Sequence, residues 1–351
     1  MLTFDLVNIR YKYNISLLVL MTLLQINMSI GQSYSSDLYE PKGTTLIDLD
    51  TLGFWEPSPT FNKGRFNKAL TFSTVAYTGF STGLYLTWYK QYPTTSFQFF
   101  NDLKEWKQMD KIGHIYTAYL QGVLCYKGSK WVGVSEGQSI ATGIICGSLF
   151  QTTIEVMDGF SAEWGFSITD FAANALGTSA FAFQQKYWGE QRIILKQSSW
   201  ARNYSDAPIV STSNNATSSL KHRSSDLFGN SFFEKYLKDY NGQTYWASFN
   251  VHSFLPESNT FPKWLNVAVG YGAQGLWGGF ENEWEEDNQR YELDLPRYRQ
   301  WYLSLDVDLT RLDTDNYLLK SILSVLNIIK VPAPAIEYNL EEGFKLHLLH
   351  F

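Results

Sequence analysis

Two long segments of the sequence contain no charged side chain, and they restrict the folds that the chain can adopt. They are ALTFSTVAYTGFSTGLYLTWY at 69–89 and GQSIATGIICGSLFQTTI at 137–154. A helix needs about 20 apolar residues to cross a bilayer, and both segments approach that length. Each contains two glycines four residues apart, a spacing that lets helix backbones approach closely: Gly79 with Gly83, and Gly143 with Gly147. Their Thr, Ser and Tyr content also fits helices packed tightly within a protein, so both alternatives stay open.

The spacing of apolar residues changes along the chain from a helical period to a strand period. It predicts four helices, at 66–91, 110–126, 136–157 and 168–188. Beyond residue 243 the period becomes 2, and it predicts strands at 244–254, 264–273, 300–312 and 343–351. A further helix is predicted at 316–329, and the acidic segment 281–294 is predicted to be a solvated loop. The predicted fold class is α+β, with a membrane-associated four-helix core followed by a C-terminal antiparallel β-rich domain.

The first 32 residues have the pattern of a secretory signal peptide. Arg10 and Lys12 precede the apolar run ISLLVLMTLL, and small and polar residues follow it. The alternative is an uncleaved membrane anchor, for which the run is short. We therefore expect an exported protein. The predicted organisation is a signal peptide at 1–32, an extended arm at 33–65, a helical domain at 66–190, a Ser- and Asn-rich linker at 191–242 and a β-rich domain at 243–351.

The last segment of the chain favours the outer membrane as its location. An alternating strand that ends in an aromatic residue, here Phe351, is typical of bacterial outer-membrane proteins. A closed transmembrane barrel needs about eight strands, and the sequence predicts fewer. We therefore expect a sheet beside the helices at a membrane surface, with the outer membrane favoured over the periplasm or the inner membrane.

The composition excludes one class of partner and favours another. The net charge is −6, with 28 Lys and Arg residues spread along the chain, so nucleic acid is not expected to bind. Aromatic residues make up 17% of the chain and charged residues 18%, a balance that favours membrane lipid or other envelope components as partners. Cys125 and Cys146 lie in uncharged helical segments, where free buried thiols are expected. The oligomeric state is not predicted.

Titratable residues are grouped at a few positions outside these uncharged segments. In DKIGH, Asp110 and His114 are four residues apart and share a helix face. Glu155 and Asp158 are three residues apart at the end of the next helix, and Asp170 begins the one after it. In an antiparallel bundle these faces can turn toward one another. The predicted site is therefore a polar cluster of one imidazole and several carboxyls.

Three chemistries fit such a cluster. His114 can act as a general base for water or for Ser161. His114, Glu155 and Asp158 can instead hold a divalent metal, although one His with acids is a loose signature. Glu155 and Asp158 can also share a proton. The structural alternative is that Lys111 neutralises the start of the helix and His114 satisfies a buried carboxylate, and the absence of a complete catalytic spacing favours it. No organic cofactor is predicted.

The same residues carry a resemblance to known families. DKIGH followed by EVMDGFSAEWGFSITDFAANALG resembles the YfiM-like family of uncharacterised bacterial envelope lipoproteins over about residues 106–185. The matching positions are Asp110, Lys111, His114, Glu155, Asp158, Gly165, Ser167, Asp170 and Gly177. More distantly, the segment is similar to VanZ-like membrane proteins, which implies a membrane-associated helical core. The family implies no activity, and this chain adds a C-terminal sheet, so the helices or the sheet would have to hold the membrane.

Two classes of function follow from these observations. In the first, the protein is a structural or assembly component of the cell envelope whose polar cluster fixes helix packing. In the second, it is a membrane-associated hydrolase or metal-binding enzyme that acts on a lipid or cell-wall substrate.

Overall fold

The computed structural model describes residues 52–350 apart from 201, 214 and 257. The predicted signal peptide, residues 33–51 of the predicted arm and the terminal Phe351 lie outside the described residues. The described chain divides into two compact units. The first contains residues 52–87 and 131–133, and the second contains residues 88–130 and 134–350.

The four predicted helices are confirmed, with boundaries that differ by a few residues. They are α1 (Lys63–Leu84), α2 (Met109–Val132), α3 (Glu136–Gly159) and α4 (Ile168–Trp188). The longest extensions beyond the predicted ends are at α2. The side chain of Asn62 caps α1 by accepting from the Arg65 amide, and Ser167 caps α4 by accepting from the Asp170 amide. These caps fix where α1 and α4 begin.

The first unit holds the start of α1 through the guanidinium of Arg65. It donates to the carbonyl oxygens of Glu56 at 2.5 Å, Gly53 at 2.9 Å and Trp131 at 3.1 Å. Because a guanidinium has five N–H donors, one side chain can satisfy several turn carbonyls. Residues 52–62 contain no helix or strand.

The C-terminal part of the second unit is an antiparallel sheet of six strands, which confirms the α+β class. The strands, in sheet order, are β1 (Ile193–Ser199), β4 (Gln243–Asn250), β5 (Leu265–Gln274), β8 (Tyr298–Val307), β9 (Ala333–Asn339) and β10 (Gly343–His350). Two of them were not predicted. β1 lies in the segment predicted as a linker, and β9 includes the Pro- and Ala-rich residues before the last predicted strand.

Two segments contain more regular structure than their composition predicted. The predicted linker 191–242 includes, besides β1, the hairpin of β2 (Pro208–Val210) and β3 (Thr217–Ser219) and the helices α5 (Leu220–Phe228) and α6 (Phe232–Lys238). The acidic segment 281–294, predicted as a loop, forms the hairpin of β6 (Glu283–Glu286) and β7 (Gln289–Glu292). Stacked rings stabilise this hairpin, since Trp284 and Tyr291 are buried with centroids 5.4 Å apart. The predicted helix at 316–329 is observed as α7 (Tyr317–Leu326).

The two Gly-xxx-Gly pairs have different surroundings. A Cβ atom on Gly143 would lie 2.6 Å from the Gly122 carbonyl oxygen, and one on Gly147 would lie 2.8 Å from the Ala118 carbonyl oxygen. The α2 and α3 backbones therefore approach closely at these glycines, as predicted. Cβ atoms on Gly79 and Gly83 would meet no described atom within 4 Å, so this prediction does not hold for α1.

One described helix, α3, is long and apolar enough to cross a membrane by length and composition alone. Only 22% of its most apolar window is buried in the structure. A single helix of this kind is weak support for a transmembrane segment.

We expect Gly143→Ala to lower the free energy of unfolding by about 1–3 kcal/mol, because the added methyl overlaps both the Gly122 carbonyl and the Phe181 ring. Gly128→Ala is the matched control, since a Cβ there meets nothing within 4 Å. The control should be unchanged or more stable by about 0.5–1 kcal/mol through its effect on helix propensity. Thermal and denaturant unfolding in detergent measures both variants. Equal stability of the two variants would contradict the close approach of α2 and α3.

Candidate functional site

The ammonium of Lys111, in the first turn of α2, lies at the centre of the candidate site. Its Nζ is 2.8 Å from Asp102 Oδ2, 3.1 Å from Asp110 Oδ2 and 2.6 Å from Asp170 Oδ1. The contact with Asp170 is an ion pair that lies off the hydrogen-bond direction. The Lys111 side chain is only 9% exposed. The three carboxylates belong to the loop before α2, to α2 and to α4, so one cation joins three segments.

His114 lies one turn further along α2, beside the same carboxylates. Its Nε2 is 3.7 Å from Asp110 Oδ1 and 3.8 Å from Asp170 Oδ1, and its Nδ1 is 3.6 Å from Glu155 Oε1. The hydrogen bond of the ring joins Nδ1 to Asn174 Oδ1 at 3.0 Å. Because an amide oxygen only accepts, Nδ1 is the donor. The remaining nitrogen, Nε2, therefore faces the two aspartates.

Asp102 connects the loop before α2 to the start of α4. Its Oδ1 accepts hydrogen bonds from Ser167 Oγ at 2.6 Å and from Thr169 Oγ1 at 2.7 Å. Ser167 Oγ also accepts from the Asp170 amide at 3.0 Å, which caps α4. The Ser167 amide donates to Glu155 Oε2, on α3, at 3.3 Å. The cap of α4 is thus shared with two carboxylates of the site.

A strained turn at residues 106–108 places the first residues of α2. All three residues have left-handed backbone angles, with φ between 48° and 65°, a conformation that costs of order 1–3 kcal/mol for each non-glycine residue. Groups from the sheet region hold it: the Trp106 amide donates to the Gly279 carbonyl at 2.7 Å, and the Tyr271 hydroxyl donates to the Lys107 carbonyl. The sheet therefore fixes the position from which α2 presents its charged residues.

The charges of the cluster are unequal because its carboxyls have different neighbours. Burial acts to raise the pKa of Asp102, but hydrogen bonds from Asp170, Lys111 and the two hydroxyls outweigh it and lower that pKa. Burial likewise opposes ionisation of Asp110, but His114 and Lys111 lower its pKa. Burial acts to lower the pKa of Lys111, and the surrounding aspartates raise it above its usual range. Lys111 is thus a permanent cation with two ionised partners.

Burial shifts the other carboxyls of the cluster toward the protonated form. Burial and the charge of Asp158 raise the pKa of Glu155 to about 8. Burial, the charge of Asp110 and a hydrogen bond with Asp102 raise the pKa of Asp170, and the Lys111 ammonium opposes this shift.

Three residues of the cluster have the geometry of a cation site. One ligand atom each from Asp110, His114 and Asp170 lies within 4.8 Å of the others. Carboxylate oxygen and imidazole nitrogen are suitable ligands for divalent zinc or manganese. Lys111 Nζ, however, already lies against two of the three residues. A divalent ion would be repelled by this ammonium at short range, so the ion pairs fit the geometry better.

Four of the five predicted site residues lie in one cluster: Asp110 and Asp170 contact Lys111, His114 lies beside both, and Glu155 lies beside His114. The fifth, Asp158, accepts a hydrogen bond from the Tyr89 hydroxyl at 2.6 Å. Among the described residues it has no hydrogen bond or ion pair with Glu155 or His114. The ligand set His114, Glu155 and Asp158 and a proton bridge between the two acids are therefore not formed. Catalytic and metal-binding roles for the other four residues stay predictions.

Ser161, the suggested nucleophile, does not pair with His114, and two residues of the site were not predicted from the sequence. Ser161 is buried and its Oγ accepts from the Glu163 amide at 3.2 Å, with no hydrogen bond to His114. Asp102 and Tyr240 belong to the site but were not predicted, and Tyr240 donates to Asp110 Oδ1 at 2.9 Å. Asp102 lies in the mixed-charge segment NDLKEWKQMD, and Tyr240 is one of 22 tyrosines, so neither carries a distinguishing sequence signal.

The raised pKa of Asp158 predicts that the free energy of unfolding depends on pH. Burial, as the largest cause, raises its pKa from 3.8 to about 7, so between these values the native state keeps a proton that the unfolded chain releases. Stability should therefore fall as pH rises through this window. We expect Asp158→Asn, which keeps an acceptor for Tyr89, to reduce that slope in urea unfolding at several pH values. The exposed Glu163→Gln should leave the profile unchanged. An equal slope in wild type and Asp158→Asn would contradict the assignment.

Comparison with known proteins gives one match. Residues 98–186, out of 351, match a family model described as a predicted periplasmic lipoprotein, DUF2279. No curated protein and no solved structure shows significant similarity to the chain. The matched segment contains Asp102, all of α2 and α3, and most of α4, so it includes the helical part of the site. The match supports the predicted envelope-lipoprotein domain over this segment, but not the YfiM-like name or a relationship to VanZ-like proteins. What this comparison identifies is a segment similar to a family of predicted periplasmic lipoproteins of unknown activity.

Proposed function

We propose that the protein is an exported component of the cell envelope with a structural or assembly role. The observation that carries this proposal is the buried Lys111 ammonium, with three carboxylates at 2.6–3.1 Å. In this role the cluster fixes the helices relative to one another. The match of residues 98–186 to predicted periplasmic lipoproteins supports an envelope location. Within the envelope we propose the outer membrane, with membrane lipid or other envelope components as partners.

The arrangement of the polar groups supports packing over catalysis. A general base needs a nucleophile within hydrogen-bond reach, and the sequence candidate Ser161 is engaged elsewhere. His114 Nδ1 is bonded to Asn174. The hydroxyls of Ser167 and Thr169 both donate to Asp102. Most of the polar groups thus have structural partners, and removal of a partner from such a buried network leaves a charge uncompensated.

A divalent-cation site is the second candidate, because Asp110, His114 and Asp170 bring three ligand atoms within 4.8 Å of one another. If a metal bound there, it would supply a Lewis acid for hydrolysis of a lipid or cell-wall substrate. The hydrolase alternative therefore takes the form of a metal-dependent enzyme with its ion at these three residues. Glu155 would then lie beside the ligand His114, where it can orient the ring.

Substitution of His114 separates the two candidates. In a structural network, His114→Gln loses part of its hydrogen bonding and should lower stability by about 1–3 kcal/mol. The protein purified from native membranes should contain no stoichiometric metal, and a chelator should leave its melting temperature unchanged. His222→Gln is the matched control, because that ring is 62% exposed and lies outside the cluster.

Elemental analysis and thermal unfolding of the three proteins provide the measurement. Stoichiometric zinc or manganese that is lost in His114→Gln, together with a lower melting temperature after chelation, would establish the cation site instead. Recovery of the chain in a soluble fraction, rather than with membranes, would contradict the proposed outer-membrane location.

A further inference from the structure

The six-stranded sheet has the reverse polarity of a sheet in a water-soluble protein. One of its faces is buried and polar. On this face Lys196 Nζ lies 2.8 Å from Asp306 Oδ2, with both side chains fully buried. Ser248 donates to Asp306, and Glu337, which is 2% exposed, lies 2.7 Å from His347 Nε2. Charged side chains are almost never buried in this way unless they are paired, and here the pairs face inward.

The opposite face of the same strands is apolar and exposed. Along β8, Trp301, Leu303 and Leu305 are about half exposed, whereas Tyr302 and Ser304 between them are buried. The last strand, β10, is more extreme, since Phe344 is 78% and Leu346 is 70% exposed. Adjacent residues of a strand point to opposite faces, so this alternation defines an outward apolar surface.

The strand register shows that this surface is continuous. Val269, Leu303, Ile336 and Leu346 pair in sequence across four strands. The neighbouring row is aromatic and is exposed on three strands, at Trp301, Tyr338 and Phe344, whereas its member on β5, Tyr271, is buried beside the turn at 106–108. Arg299 follows Trp301 on the same face, one strand repeat further on. An aliphatic row, then an aromatic row, then a charge is the order found across the boundary between hydrocarbon and headgroups.

The geometry points to the hydrocarbon of a lipid membrane as the partner of the outward face of β5, β8, β9 and β10. A water-soluble surface rarely carries so large an uninterrupted apolar patch. The graded order of side chains favours lipid over a second copy of the chain, because a protein partner requires no aromatic row at one edge. This inference rests on the proposed envelope location and is independent of the role of Lys111.

Site-specific fluorescence tests the inference directly. Single cysteines replace Leu303 or Leu346 in the full chain, with Cys125→Ser and Cys146→Ser, and carry an environment-sensitive dye. The control is Leu237→Cys, at a leucine that is 59% exposed and lies on α6, outside the sheet. In vesicles of phosphatidylethanolamine and phosphatidylglycerol, the dyes at 303 and 346 should shift to the blue. Brominated acyl chains should quench them and leave the dye at 237 unaffected.

A second measurement uses the unmodified chain, in case the cysteine variants do not fold. A phospholipid with a photoreactive group in its acyl chain should cross-link to peptides that contain Leu303 or Leu346, as located by mass spectrometry. Cross-links or quenching at 237 to the same extent as at 303 would overturn the inference. Dyes at 303 that are shielded before vesicles are added and are not quenched by brominated lipid would show that a second copy covers the face, which also overturns it.

Discussion

One buried ammonium group, that of Lys111, joins the loop before α2 to the starts of α2 and α4. Lys111 lies among Asp102, Asp110 and Asp170, and without it three carboxyls would be buried close together. Removing one partner of a buried ion pair costs about 3–5 kcal/mol, because the remaining charges are uncompensated. The three aspartates share this single cation. Lys111 contacts one carboxyl from each of three segments: the loop before α2, the start of α2 and the start of α4. The relative positions of these segments therefore depend on Lys111.

Both parts of the second unit bury charged groups and expose apolar side chains. The helices bury a small polar cluster between apolar surfaces, and the sheet buries its polar face while its apolar face is exposed. Both arrangements place charge away from the surface, as expected for a protein whose outer surfaces contact lipid. The apolar residues on the outward face of β8 and β10 are therefore consistent with an envelope protein, and would be a liability in water.

Helices and strands with a clear local pattern of apolar residues were predicted from the sequence. Elements and contacts without such a pattern were missed. Long charge-free segments and the change from a period of 3.6 to 2 located the four helices and the strands β4, β5, β8 and β10. β1 lies next to a Ser- and Asn-rich segment, and β9 contains Pro334 and follows Pro332, so composition concealed them. Asp110 and His114 share a face by helical spacing alone. Asp102 and Tyr240 join them only through the turn at 106–108 and the sheet, which no local pattern reveals.

A double-mutant cycle on Lys111 and Asp102 tests most directly whether the cluster fixes the fold. The four proteins are the wild type, Lys111→Met, Asp102→Asn and the double variant, measured by denaturant unfolding. The exposed pair Lys221 and Asp206, with side chains 64% and 69% exposed, is the control cycle. We expect a coupling free energy of about 1–3 kcal/mol for the buried pair, compared with near zero for the control. Additive effects of Lys111→Met and Asp102→Asn would contradict it.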